Sequence, residues 1–146
     1  MNKKGFTLIE LLVVIAIIAL LSTLAVVALG SARKKAHDAK RLSDMTQIRF
    51  ALESYFTKRN VYPTVTGGGL VLGSGNATCL NANGFAAAGC SDPLMAVIPR
   101  DPSSGTYVYS SADGKTYKIM AVLEAGTDTL RPGSIIVDPF TIKNGQ

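Results

Sequence analysis

The sequence predicts an α+β protein in which one long N-terminal α-helix packs on a small C-terminal antiparallel β-sheet of about three strands. Three observations support this class. An apolar run opens the chain, a one-sided apolar stripe continues it, and alternating apolar residues fill the last third. A chain of 146 residues has the length of one domain and can bury a modest core.

The first element is the apolar run of residues 6–29, whose only charge is Glu10. At ~1.5 Å of rise per residue, this run reaches about 36 Å as a helix, enough to cross a hydrocarbon layer of about 30 Å. A cleaved secretory signal is the competing interpretation, because Lys3 and Lys4 precede the run. Such signals have a shorter apolar stretch followed by a small-residue cleavage site. Here the small residue, Gly5, comes first, so the run is predicted to span a membrane.

The helix is predicted to continue past Gly30 to about Asn60. Apolar residues recur at steps of three and four from Leu42 to Phe56, with charged residues between them. This spacing is typical of a helix with one buried face. The helix is expected to end before Pro63, because proline has no N–H group to continue it. The apolar stripe is the expected cover for the sheet.

Residues 64–93 are rich in Gly, Asn and Ala and are predicted to form a long loop, with one short strand at residues 70–72. Cys79 and Cys90 enclose part of this loop. Two cysteines cannot complete a four-ligand zinc site, so a disulfide is favoured if the domain is exported. Residues 91–99 predict a single helical turn with a proline at its first position.

The last third predicts an antiparallel meander. Two strand-like runs flank Asp113-Gly114, a pair favoured in hairpin turns, and residues 134–137 form a third run. Tyr107 and Tyr109 fall on one face of the first run, because side chains alternate along a strand.

The net charge of +5 is unevenly distributed. Residues 33–59 hold eight Lys or Arg and three acids, whereas residues 61–146 hold five and six. A basic block just after a membrane span indicates contact with anionic head groups or with a neighbouring acidic surface, and a solvated helix face is an equal alternative. Nucleic acid is a weaker alternative, because aromatic residues are not interleaved with the basic ones until residue 50.

No catalytic triad, metal-ligand cluster or phosphate-binding loop is recognisable in the sequence. The single histidine, His37, lies in the basic part of the helix, where a surface role is expected. A calcium site among the turn aspartates is an alternative, although their spacing fits no EF-hand loop. The sequence thus predicts a protein that is not an enzyme and needs no cofactor, with calcium as the one exception kept open.

Glu10 has no basic partner within the apolar run. An acid in the apolar phase is costly and is usually functional or paired. Glu10 either lies among the head groups and stays hydrated, or a chain terminus at the same depth supplies a cation. Cleavage after Gly5 would give Phe6 a new α-amine, which is positive near neutral pH.

Residues 3–10, KKGFTLIE, resemble the class III signal of type IV prepilins and type II secretion pseudopilins. The resemblance implies that a membrane-embedded prepilin peptidase cuts between Gly5 and Phe6 and methylates the new terminal nitrogen of Phe6. It implies that Glu10 pairs with the terminal amine of a neighbouring copy when subunits assemble into a filament. The stretches YFTKRNVYPT and IPRDPSSGTYVYSSADGKTYKIMAVLE resemble the body of major pseudopilins and of some related pilins.

The resemblance implies a pilin-like fold with four parts: a leader (1–5), a transmembrane and filament-core helix (6–30), the amphipathic half of that helix (31–62) and a globular head (63–146). The implied partners are other copies of the chain, the peptidase, an assembly platform in the inner membrane, and lipid before assembly. The implied location is the cytoplasmic membrane, with the N-terminus cytoplasmic and the head outside, and afterwards a periplasmic or cell-surface filament.

Three observations depart from this resemblance. Residues 11–29 contain no Pro or Gly, although many family members carry a helix breaker there. The acidic calcium loop of major pseudopilins has no match, and Asp128 is the nearest candidate. The positive-inside rule favours the opposite orientation, because two lysines precede the span and five basic residues follow it within residues 33–41.

A membrane-anchored binding module that keeps residues 1–5 and does not polymerise is the alternative function.

Overall fold

The computed structural model describes residues 5–87 and 89–145, so the first four residues of the predicted leader lie outside the described residues. One helix, α1 (Leu8–Arg59), precedes the strands. The strands are β1 (Val65–Val71), β2 (Cys79–Asn81), β3 (Gly84–Ala86), β4 (Pro93–Met95), β5 (Val108–Ser111), β6 (Lys118–Leu123), β7 (Gly133–Val137) and β8 (Ile142–Asn144). The α+β class and the long N-terminal helix are confirmed. The chain divides into two compact units, Met1–Lys34 and Lys35–Gln146.

The first unit contains the apolar part of α1. Its large aliphatic side chains are exposed along the whole run, and the most apolar window of the helix has a mean hydropathy of 3.1 with none of it buried. By length and composition, this helix can cross a membrane.

The second unit packs the amphipathic part of α1 on a five-stranded antiparallel sheet with the strand order β1-β5-β6-β7-β8. The helix contributes a buried row at helical spacing: Met45, Ile48, Leu52 and Tyr55. Each central strand contributes every second residue, as in the alternation of buried and exposed positions along β6. This packing confirms the predicted role of the stripe as the cover of the sheet.

Tyrosine hydroxyls reinforce the contact between helix and sheet. Tyr107 and Tyr109 are fully buried on the same face, as predicted. The Tyr107 hydroxyl donates to Asp44 Oδ2 at 3.0 Å, and the Tyr109 hydroxyl donates to the Pro63 carbonyl at 2.7 Å, just beyond the end of the helix. Asn60 adopts a left-handed conformation with φ 58°, which ends α1 at the predicted place.

The region between helix and meander is more ordered than the composition predicts. The Cys79–Cys90 disulfide is confirmed. It encloses the β2–β3 hairpin, and β3, β2 and β4 form a second, three-stranded sheet. The helical turn predicted for residues 91–99 is wrong, because Pro93–Met95 pairs with β2 instead. Tertiary strand pairing here overrides the local helix-start signal.

The main sheet has five strands. The sequence predicted about three because the two edge strands have weak sequence signals. The edge strand β1 contains three consecutive glycines and an irregular register between Val65 and Leu70. The other edge strand, β8, has only three residues, with Lys143 at its centre.

A buried charge cluster joins α1 to the loops at one end of the sheet. Arg41, only 1% exposed, donates from Nη1 to Asp38 Oδ1 (2.8 Å), from Nε to Asp101 Oδ2 (2.7 Å) and from Nη2 to Glu124 Oε1 (2.8 Å). The Asp38 carboxylate also accepts the backbone N–H groups of residues 124–126 at 2.7–2.9 Å. One guanidinium therefore holds three segments that are distant in sequence.

We expect Arg41→Gln to destabilise the second unit strongly. The change leaves Asp38 and Asp101 buried without their cation, and removal of one partner of a buried pair costs about 3–5 kcal/mol. Urea unfolding of the full chain in detergent, followed by the near-ultraviolet circular dichroism of the tyrosines, measures this loss. Arg49→Gln, about two turns further along the same helix, is the matched control and should stay within about 0.5 kcal/mol of the parent. Equal losses in both variants would contradict the role of the cluster.

The cluster also predicts an acid-dependent stability. Hydrogen bonds from Arg41 lower the pKa of Asp101 from 3.8 to about 2 in the folded chain. A carboxyl with a lowered folded pKa stabilises the fold above its unfolded pKa, and this contribution is lost as the pH falls through the folded pKa. Between pH 3.8 and 2, the urea midpoint should therefore fall less steeply in Asp101→Asn than in the parent. Asp92→Asn, whose carboxylate is exposed, should keep the parent slope, and parallel slopes in all three proteins would refute the assignment.

Candidate functional site

The start of α1 is built by a reciprocal pair of hydrogen bonds between Thr7 and Glu10. Thr7 directly precedes the first helical residue, Leu8, and Glu10 is the third residue of the helix. Glu10 Oε2 accepts the Thr7 backbone N–H and the Thr7 hydroxyl, both at 2.7 Å, and Thr7 Oγ1 lies 3.4 Å from the Glu10 nitrogen. This arrangement is a capping box, in which two N–H groups without helical partners are satisfied.

The capping box gives Glu10 a local structural role that the sequence analysis missed. The signal was present as Thr-x-x-Glu before an apolar run, which is the usual sequence signature of this cap. The negative carboxylate also lies at the positive end of the helix dipole. Hydrogen bonds do not neutralise the charge, however, and Glu10 forms no ion pair within residues 5–87 and 89–145.

The site residues predicted at the N-terminus lie close together. Phe6, Ile9, Glu10, Val13 and Val14 line a shallow, almost wholly apolar depression of about 390 Å³. The Phe6 side chain is 90% exposed, and nothing lies within 4 Å of where a Gly5 side chain would be. The residue pair predicted for cleavage, Gly5-Phe6, is thus open to an external partner and lies ahead of the first helical turn.

The other candidate residues are not assembled into a catalytic or metal-binding site. His37 Nδ1 lies 3.2 Å from Glu124 Oε1 at the exposed rim of the charge cluster. Asp128 is exposed between β6 and β7. In the part of the chain that the structure describes, no group of three or more His, Cys, Asp or Glu side chains is placed to hold a metal ion. Calcium binding near Asp128 stays a prediction.

Comparison with known proteins assigns the N-terminal sequence to a described family. Residues 1–30 match the family described as a prokaryotic N-terminal methylation motif. The type II secretion system core protein G of Klebsiella pneumoniae is 31% identical over 106 residues, which are 73% of this chain and 73% of that protein. The protein of the same name from Vibrio cholerae is 31% identical over 114 residues, 78% of this chain and 75% of that protein.

Other matches are shorter. The core protein G of Aeromonas hydrophila is 39% identical over 67 residues, 46% of this chain and 47% of that protein. The type IV wide pilus major component PilA4 of Thermus thermophilus is 44% identical over 61 residues, 42% of this chain and 47% of that protein. The chain thus spans about half the length of several curated relatives that it matches. No solved structure matches the chain significantly.

The methylation motif, the exposed apolar helix and the matches that cover most of the Klebsiella and Vibrio proteins lead to one conclusion. This chain belongs to the family of type II secretion pseudopilins and related type IV pilins.

Proposed function

We propose that this chain is a structural subunit of a type II secretion pseudopilus or a related type IV pilus-like filament, and that it acts without catalysis. The carrying observation is the apolar first half of the long helix, whose side chains are exposed and which begins with a capped, charged turn at Thr7 and Glu10. Such a helix is unsuited to water and suited to two other surroundings, lipid and the apolar helices of other copies.

Processing creates the missing cation. In this proposal a prepilin peptidase cuts between Gly5 and Phe6 on the cytoplasmic side of the membrane and methylates the new Phe6 nitrogen. That nitrogen is positive near neutral pH and lies about one helical turn from Glu10. Each processed copy therefore presents one cation and one anion at the same end of its helix.

Assembly then pairs these charges between copies. In lipid, the Thr7 donors satisfy Glu10 locally, so a single subunit is tolerated in the membrane. An assembly platform in the membrane would bring subunits together, their apolar helices would pack side by side, and Glu10 of one copy would bind the Phe6 amine of the next. A desolvated ion pair fixes position along the filament axis, because a shift by one turn leaves both charges unpaired.

Of the two filament types, we favour the secretion pseudopilus, because the matches that extend over most of the chain are to secretion core proteins G. The match to a Thermus pilus component favours a pilus as the second candidate. Electron microscopy of the native host distinguishes them. Short assemblies confined to the envelope support the pseudopilus, and long surface fibres support the pilus.

Processing is tested by the mass of the mature N-terminus. We expect intact-mass and peptide analysis of the membrane form to show a chain that begins at N-methylated Phe6, because the Gly5-Phe6 bond is exposed ahead of the helix. Gly5→Val should accumulate the uncut chain. A mature chain that retains residues 1–5 would instead support the alternative function, a membrane-anchored binding module that does not polymerise.

Two variants separate the charge of Glu10 from its capping role. Glu10→Gln keeps a side chain that can complete the capping box but removes the charge. We expect it to be processed normally while filament yield falls at least about tenfold, since losing a desolvated ion pair exceeds the roughly 1.4 kcal/mol that a factor of ten represents. Glu10→Ala should behave likewise. Filament yield is measured by shearing and electron microscopy.

Thr7→Ala is the matched control, because it removes the side-chain cap and leaves the Glu10 charge in place. Loss of an N-cap costs about 1 kcal/mol, and this cost is shared by the membrane form and the filament form. We therefore expect filament yield close to that of the parent. Normal yield from Glu10→Gln together with a loss in Thr7→Ala would show that Glu10 serves only as a cap.

A further inference from the structure

In the basic block that follows the apolar run, residues 33–59, the acids nearest to the first cations form contacts inside the second unit. Asp38 and Asp44 are both fully buried. Asp38 is bound by Arg41 and by three backbone N–H groups, and Asp44 is bound by Lys40 and the Tyr107 hydroxyl. Asp44 is paired with Lys40, and neither carboxylate is available to neutralise Arg33, Lys34 or Lys35.

Three of those cations are free. Arg33, Lys34 and Lys35 are exposed, and none of them forms an ion pair among the residues that the structure describes. We call these three residues the collar. In the folded chain, Lys35 lines a shallow depression with Asp128 of the loop between β6 and β7, so the collar has an acid beside it only on the side of that loop.

The geometry of the collar fits a layer better than a single neighbouring surface. Consecutive helical residues are about 100° apart around the axis and rise only ~1.5 Å each. The three side chains therefore point in three directions around the helix while their Cα atoms lie within about 3 Å along it. A one-sided protein partner could contact one or two of them. A sheet of anionic groups that surrounds the helix contacts all three.

The collar also lies at the depth of the head groups when the apolar run is in the membrane. Arg33 is four residues beyond Leu29, the last large apolar residue of the run, which is about 6 Å along the helix. The polar region on each side of the hydrocarbon core is about 5–7 Å thick. Lysine and arginine side chains readily extend along the helix to reach phosphate oxygens at that level.

We infer that the collar binds anionic phospholipid head groups of the leaflet into which the head projects, and so holds the unassembled subunit at a fixed depth. This inference rests on the proposed membrane stage of the function. Anionic phosphates attract juxtamembrane basic residues, and the attraction is confined to the surface by salt screening. Assembly into a filament must then release these lipids, so the anionic lipid content of the membrane sets how firmly subunits are retained.

The test uses the full chain in vesicles of phosphatidylethanolamine with a minor fraction of phosphatidylglycerol, without any assembly machinery. The chain is extracted with its surrounding lipid in polymer-bounded discs. Mass spectrometry then gives the ratio of phosphatidylglycerol to phosphatidylethanolamine in the discs relative to the whole vesicles. The test variant carries Arg33→Gln, Lys34→Gln and Lys35→Gln. The matched control carries Lys58→Gln, Lys115→Gln and Lys118→Gln, three exposed lysines away from the collar, so both variants lose the same charge.

We expect several-fold enrichment of phosphatidylglycerol around the parent and the control, and none around the collar variant. High chloride should abolish the enrichment, and inorganic phosphate at the same ionic strength should have no greater effect than chloride, because the ligand is the lipid layer rather than a free anion. Enrichment that is equal in all three proteins, or absent from the parent, overturns the inference. A collar variant that loses filament yield while the parent shows no lipid enrichment would also overturn it and would assign the collar to an acidic protein surface.

The outcome is separable from the proposed function. Lipid selectivity is measured on single subunits, whereas the Glu10 variants are scored by filament yield. Failure of the lipid test leaves the filament proposal intact, and a failure of filament formation leaves the lipid ratios unchanged.

Discussion

The constraint on which this structure depends is that the first half of its helix cannot remain in water. Its aliphatic side chains are exposed from Leu8 to Leu29, with no part of the most apolar window covered by the chain itself. A helix satisfies its own backbone groups, so lipid is an acceptable solvent for it, and so is a bundle of identical helices. Folding of a single chain leaves this surface uncovered. Only a membrane or other apolar helices can remove it from water.

The second unit, residues 35–146, is stabilised by its own internal packing. The amphipathic half of α1 covers the five-stranded sheet, and the Arg41 cluster joins the helix to loops near residues 101 and 124. Replacement of a buried ion cluster by apolar groups is often neutral for stability, so its best-supported use is to specify one arrangement of the segments it joins. The second unit thus has a core of its own. The proposed transfer of a subunit from lipid to filament without unfolding requires such a core.

The parts of the fold that depend on local pattern could be predicted from the sequence. The apolar run, the stripe from Leu42 to Phe56 and the alternation around Tyr107 and Tyr109 each follow from periodicity. The parts that depend on distant partners could not. The second sheet exists because Pro93–Met95 pairs with β2, and the charge cluster exists because Asp38 meets segments about 86 residues away. At the N-terminus, the sequence indicated Glu10 as the important residue, and it also contained the Thr-x-x-Glu signature of the cap, which the side-chain geometry made evident.

The edges of the main sheet matter for the proposed function, because assembly into a filament would concentrate the chain. An exposed strand edge is a template for pairing with another chain. Here one edge strand is interrupted by glycines and an irregular register, and the other is three residues long with Lys143 at its centre. Neither edge offers the long, flat, apolar ladder that amyloid-like stacking requires. The chain therefore discourages cross-β growth through its head, and in the proposed filament the apolar helix is the surface through which copies associate.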